Sequence, residues 1–148
     1  MLSPDGSFTA TCVPAAADGQ KHGIVVANRA GERVGRKLAI ERHAEFTWSP
    51  RGNLLAVTDA PGSTESNCLM VDVPNAFRQQ DVSALIAKPA KASWKGHWYC
   101  KFAGWSSPTV VRVRSWGYDD ATHSFDRSYS YDVLTGRLDP SPPPKRQR

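Results

Sequence analysis

The chain has 148 residues, 40% of them apolar and 22% charged, enough for one domain with its own core and too few for two. That apolar share excludes a wholly disordered chain. No run approaches the roughly 20 apolar residues that span a bilayer, so no membrane insertion is expected. The formal net charge is +5, and Lys145, Arg146 and Arg148 supply three of those charges at the C-terminus. The other basic residues are scattered rather than gathered into a stripe, which argues against a nucleic-acid partner.

In chain order, the opening Met1-Leu2-Ser3-Pro4-Asp5-Gly6 reads as a turn rather than a charged-then-apolar leader. Short alternating apolar runs bounded by Gly, Pro, Asn, Asp and Ser predict strands at 8–13, 23–27, 53–57, 68–73, 109–114 and 127–133. Val, Ile, Thr and aromatic residues dominate these runs, as a pleated, half-buried surface favours. Only 77–87 suits a helix, with Val82, Leu85 and Ile86 at helical spacing and Pro89 as its stop. The last segment, 139–148, carries four prolines and three basic residues. Proline forbids helix and central strand, so residues 139–148 are expected as a disordered tail to a single domain at 1–138. Truncation there is expected to leave folding intact.

A repeat runs through these elements. Ser3-Pro4-Asp5-Gly6, followed by Phe8 and Ala10, matches Trp48-Ser49-Pro50-Arg51-Gly52, followed by Leu54 and Ala56, at a shift of 46. A third copy, Gly104-Trp105-Ser106-Ser107-Pro108, lacks the turn Gly. A shift of 57 places Trp48 on Trp105, Leu54 on Val111 and Ala56 on Val113. Each copy has a second strand, with Ala27, Asp72 and Asp132 in matching places 24, 23 and 26 residues after the repeat Ser. Pro presets φ for a turn and Gly supplies positive φ, so each unit reads as turn, strand, loop and strand. Such units bury their faces by stacking on neighbours.

The Trp-Ser-Pro-x-Gly-x-Leu-Leu-Ala unit, followed by an apolar-x-Val-Asp strand, resembles the repeat of TolB-type β-propellers. The resemblance covers 46–73 well, 3–31 fairly and 102–138 loosely. It implies an all-β fold of antiparallel, propeller-like sheets, with Trp48, Ser49, Pro50, Gly52, Asp72, Trp105 and Asp132 as structural residues. Three units are fewer than the 4–8 of a closed propeller, so the assembly is expected to stay incomplete or to close by self-association, a homodimer being simplest. The resemblance leans towards a bacterial envelope location.

No nucleophile elbow, phosphate loop, dinucleotide fingerprint or zinc motif occurs. Cys12, Cys68 and Cys100 stand apart, as do His22, His43, His97 and His123, so no metal or cofactor is expected. The odd cysteine count permits one disulfide and a free thiol, or three reduced thiols. Trp94, Trp98, Tyr99 and Trp105 crowd one region around His97. Aromatics with polar tips favour binding surfaces, which makes Trp94, His97, Trp98 and Tyr99 the candidate contact residues, with Trp94 and Trp98 foremost. Asp119, Asp120 and Asp126 form the one acidic cluster, best read as a hairpin loop. The leading expectation is a non-catalytic binding or scaffold protein whose partner is another protein. The alternatives are an inhibitor or immunity-type protein, and a glycan-acting enzyme using that acidic loop.

Overall fold

The computed structural model describes residues 1–15, 21–90, 96–118 and 124–142, with backbone alone at 87–90. Its strands form three antiparallel meanders. The first sheet holds β1 (Phe8–Val13), β2 (His22–Asn28) and β3 (Arg33–Ile40). The second holds β4 (His43–Trp48), β5 (Leu54–Ala60), β6 (Asn67–Asp72) and β7 (Arg78–Asp81). The helix α1 (Val82–Ala90) leads to the third, with β8 (His97–Trp105), β9 (Val110–Tyr118), β10 (Ser124–Asp132) and β11 (Arg137–Ser141). The architecture is all-β and propeller-type: three blade-like sheets stacked in sequence order, not closed into a barrel.

The order of stacking explains the hydrophobic pattern. Leu55, Val57, Val71 and Val73 pack with Ile24, Val26, Leu38 and Ile40 of the first sheet. Leu54, Ala56, Cys68 and Met70 pack with Trp98, Cys100, Val111 and Val113 of the third. Successive side chains of a strand point to opposite faces. A sheet covered on both faces therefore needs a continuous apolar run, and β5 buries Leu54 through Val57 without a break. The two end sheets are covered on one face only, and their strands alternate.

Strand register corrects the alignment made from the sequence. Phe8 sits opposite Asn28, Leu54 opposite Asp72 and Val110 opposite Asp132. Asn28, not Ala27, is thus the counterpart of Asp72 and Asp132, and all three close a turn. Asn28 Oδ1 accepts from the Ala30 and Glu32 amides at 3.0 and 2.9 Å. Asp132 Oδ1 accepts from the Leu134 amide at 2.9 Å, and Asp72 Oδ2 accepts from Asn75 Nδ2 at 2.7 Å. Likewise Leu54 corresponds to Val110 rather than Val111. The Ser49 amide donates to Leu54 O, five residues on, whereas the Ser106 amide donates to Val110 O, only four on. Loss of the turn Gly shortens the third turn by one residue, which turns every following side chain to the other face.

The first two turns share their bonds. The Ser3 and Ser49 amides donate to Phe8 O and Leu54 O, both at 2.8 Å, and each Ser Oγ accepts from the amide of that same Phe8 or Leu54. Gly6 and Gly52 hold φ of 69° and 75°, where a side chain is strained. At Gly52 a Cβ would also lie 2.4 Å from Asp5 Oδ1, so the first turn leans on the second. Hydrogen bonds from Ser7 and Ser3 lower the Asp5 carboxyl from 3.8 to about 2. A depressed carboxyl pKa stabilises the fold above the unfolded value, and that contribution is lost as pH falls towards the folded one. Wild type is therefore expected to lose stability between pH 4 and about 2 more steeply than Asp5→Asn. Urea unfolding across that range reads the difference, and parallel curves would refute it.

Other elements depart from expectation for physical reasons. The helix begins at Val82 rather than 77 and passes Pro89. Ala76 and Phe77 take left-handed φ of 55° and 57°, and Phe77 turns its ring into the core. Asp81 caps the helix, its Oδ1 accepting from the Ala84 amide at 3.0 Å. Strand β11 carries the third sheet past 138, pairing Asp139, Pro140 and Ser141 with Ser130, Tyr129 and Ser128. An edge strand tolerates Pro because its outer side needs no donor. The third sheet thus runs three residues beyond the expected boundary at 138. A chain ended after Leu138 should lose about 1–3 kcal/mol, and one ended after Pro142 almost none. Equal melting temperatures would contradict this.

Cys68 and Cys100 form a disulfide from β6 to β8, with Cα atoms 5.8 Å apart, while Cys12 is free and exposed. Around it, Trp98 N donates to Thr64 O, Ser66 Oγ donates to Cys100 O, and Phe102 N donates to Thr58 Oγ1. The 58–67 segment is thus the clamp between the second and third sheets.

Candidate binding face on the third sheet

Register defines which residues each sheet turns towards its successor. In the first it is Phe8, Ala10, Ile24 and Val26, and in the second Leu54, Ala56, Cys68 and Met70. In the third the same places hold Val110, Arg112, Ser128 and Ser130. The face towards the preceding sheet shows the converse. Leu55, Val57, Leu69 and Val71 of the second sheet correspond to Thr9, Thr11, Val25 and Ala27 of the first. Polar residues thus replace three of these four aliphatic places on the third sheet and two of four on the first, as terminal repeats favour.

The third sheet's outer face carries more than polar substitutes. Register sets His97 opposite Tyr118 and Tyr99 opposite Trp116. The His97 and Tyr118 rings stack at 4.5 Å with 13° between planes, and Tyr99 and Trp116 at 5.3 Å with 21°. Tyr118 is 47% exposed, while the other three are half-buried. Tyr99 OH donates to Ser63 O at 2.6 Å and lies 3.1 Å from His97 Nδ1. Burial, then the neighbouring Tyr118, raises the Tyr99 pKa, so its phenol stays protonated and able to donate.

Next along β9 stands Arg114, its guanidinium 5.0 Å from the centre of the Trp116 ring. It donates to both oxygens of Asp126, at 2.9 and 2.7 Å. The Asp126 hydrogen bonds raise the Arg114 pKa further, which keeps the pair charged. Aromatic pairs of this kind add about 0.5–1.5 kcal/mol beyond area burial. The rings are therefore held in place before any partner arrives.

The structure brings two of the four expected contact residues to this face. His97 and Tyr99 point outward, and Trp98 between them points inward, 4% exposed in the core. Trp98 as a leading surface residue is thus corrected: in a strand the neighbour of an outward residue faces in. Trp94 lies outside the described residues, as do Asp119 and Asp120. Of the residues read as structural, Trp48 and Ser49 are buried, Gly52 takes its positive φ, and Asp72 and Asp132 close turns. Trp105 is half-buried against the core of the third sheet, and Pro50 is exposed at its turn.

Trp116, Tyr118, Arg112 and Arg114 were missed, although the signal was present. Val110, Arg112, Arg114, Trp116 and Tyr118 occupy every second position of β9. Among the described residues, no group of three His, Cys, Asp or Glu is placed to hold a metal ion, and no helix is long and apolar enough to cross a membrane.

No family model matches the chain, and no curated protein matches it. Among solved structures it is similar to TolB from Acinetobacter baumannii, at 12% identity and a TM-score of 0.47, over 94% of this chain and 30% of that one. It is also similar to putative TolB from Agrobacterium tumefaciens, at 16% identity and a TM-score of 0.47, over 94% of this chain and 46% of that one. The chain spans less than half the length of either.

Proposed function

We propose that the chain is a non-catalytic binding protein that grips another protein with the outer face of its third sheet. One observation carries this reading. Where the middle sheet presents an aliphatic core face, the third presents a preformed ladder of His97, Tyr99, Trp116 and Tyr118 flanked by Arg112 and Arg114. Trp, Tyr and Arg are the residue types that dominate binding energy at protein interfaces. An inhibitor-type role would use the same face. The glycan-hydrolase reading needs a second carboxyl facing Asp126, and Asp126 is instead engaged by Arg114.

The test compares three baits in an extract of the protein's own cells: wild type, Trp116→Ala/Tyr118→Ala, and Thr9→Ala/Thr11→Ala on the opposite end. Loss of hot-spot residues costs at least 2 kcal/mol each, roughly a thirtyfold weakening. A partner retained by wild type and the first-sheet variant, and lost by the third-sheet variant, supports the reading. Equal retention by all three refutes it. Light scattering at micromolar concentration identifies the case in which that partner is a second copy of the chain.

A further inference from the structure

We propose that the segment bound on this face is an extended, acidic stretch of polypeptide, read by Arg112. The inference rests on the third-sheet reading above and adds to it the chemistry of the ligand.

One cation on the face stands without an ion pair. The face carries Lys101, Arg112, Arg114 and Arg137, together with Asp126, Asp132 and Asp139, and Asp132 lies opposite Arg137. Lys101 pairs with Glu45 at 2.6 Å, Arg114 with Asp126 at 2.7 Å and Arg137 with Asp139 at 2.7 Å. Arg112 has no carboxylate partner among the described residues. Its neighbours across the sheet are Gly104 and Ser130, and neither can supply one. Gly104 also leaves the space beside the guanidinium unfilled: a Cβ there would lie 3.7 Å from Arg112 Nη2.

A cleft opens at this point. Ala103, Arg112, Val113, Arg114, Ser128, Ser141 and Pro142 line about 70 Å³ of free volume, in a mostly apolar wall. That is room for several waters, and so for a carboxylate. Ser128 and Ser141 face each other across β10 and β11, and no protein group among the described residues uses either hydroxyl. A carboxylate seated here meets the Arg112 guanidinium and two hydroxyl donors, which are charge-assisted hydrogen bonds.

The rest of the ligand is set by spacing. Arg112, Arg114, Trp116 and Tyr118 project from one face of β9 at every second residue. An extended peptide repeats its side chains at the same interval, about 7 Å per two residues. A ligand lying along β9 with its acid at Arg112 therefore sets its fourth and sixth following side chains on Trp116 and Tyr118. Those two positions should be apolar. Arg114, already held by Asp126, asks for no charge at the second. A single-stranded nucleic acid also stacks on aromatic rings, but His97 already takes one face of Tyr118 and Tyr99 one face of Trp116.

The test uses fluorescence anisotropy with three labelled probes. The first is a short Ser-based peptide with one Asp and with Leu at the fourth and sixth positions after it. The second is the same peptide with Lys for Asp, and the third is an oligothymidylate of similar length. Wild type should bind the Asp peptide and not the Lys peptide. Arg112→Ala should weaken that binding about tenfold or more, and Arg112→Glu should reverse the preference. Circular dichroism must show both variants folded, as expected for an exposed site. Equal binding of the Asp and Lys peptides, a change under twofold in Arg112→Ala, no binding of the Asp peptide, or tighter binding of the oligothymidylate each overturns the proposal. If the Asp peptide fails while Trp116→Ala/Tyr118→Ala still abolishes capture of a protein partner, the face stands and its acidic ligand does not.

Discussion

Replacing Cys68 and Cys100 together by Ala is expected to lower unfolding stability by roughly 3–4 kcal/mol. The bond closes a loop of sequence separation 32, and constraining an unfolded chain by a loop of that length is worth about that much. Both residues are fully buried where the second sheet meets the third, so the loss falls on the joint that positions the binding face. The 64–66 clamp and the Thr58 hydroxyl remain, and the folded topology should survive with a lower urea midpoint. Reductant should act on wild type only as it unfolds, because the native chain shields the sulfurs. A double variant within about 1 kcal/mol of wild type, or a native chain reduced as fast as a denatured one, would contradict this.

Leu55→Ala should cost about 2–5 kcal/mol, the range for a large core residue replaced without collapse of the cavity. Leu55 is fully buried between the first and second sheets. Thr9 occupies the corresponding place on β1 and faces outward, so Thr9→Ala should stay within about 0.5 kcal/mol. The pair isolates the claim that only the middle sheet is buried on both faces. Chemical unfolding of the two variants decides it, and similar losses would mean that the outer face of the first sheet is covered.

The fold was legible where its signals are local. The continuous run Leu54-Leu55-Ala56-Val57 and the alternating Phe8–Val13 segment announce strands buried on two faces and on one. The Ser-Pro-x-Gly turns announce where those strands begin. Apart from β1, the edge strands were not legible. Strand β7 is Arg78-Gln79-Gln80-Asp81, β3 is broken by Gly35 in positive φ, and β11 contains Pro140. Edges are kept charged, short or proline-bearing to prevent foreign pairing, which removes the very pattern that marks a strand. The Cys68–Cys100 pairing and the place of Trp98 were hidden for another reason. Both depend on β8 docking beside β6, a contact between segments that local periodicity does not report. The binding face was half legible: His97 and Tyr99 stand in an aromatic cluster, but Trp116 and Tyr118 join them only once β9 pairs with β8 in register.

The central claim is that contact with a partner occurs on the outer face of the third sheet and leaves the inter-sheet cores untouched. Tryptophan indole N–H resonances test it most directly, because Trp116 lies on that face while Trp48 and Trp98 are buried on inner ones. When the isotopically labelled chain is titrated with the partner recovered on the wild-type bait, the Trp116 resonance should shift or broaden, and those of Trp48 and Trp98 should hold still. A stationary Trp116 signal, with changes instead at Thr9, Thr11 and Val25 on the far end of the stack, would contradict the account.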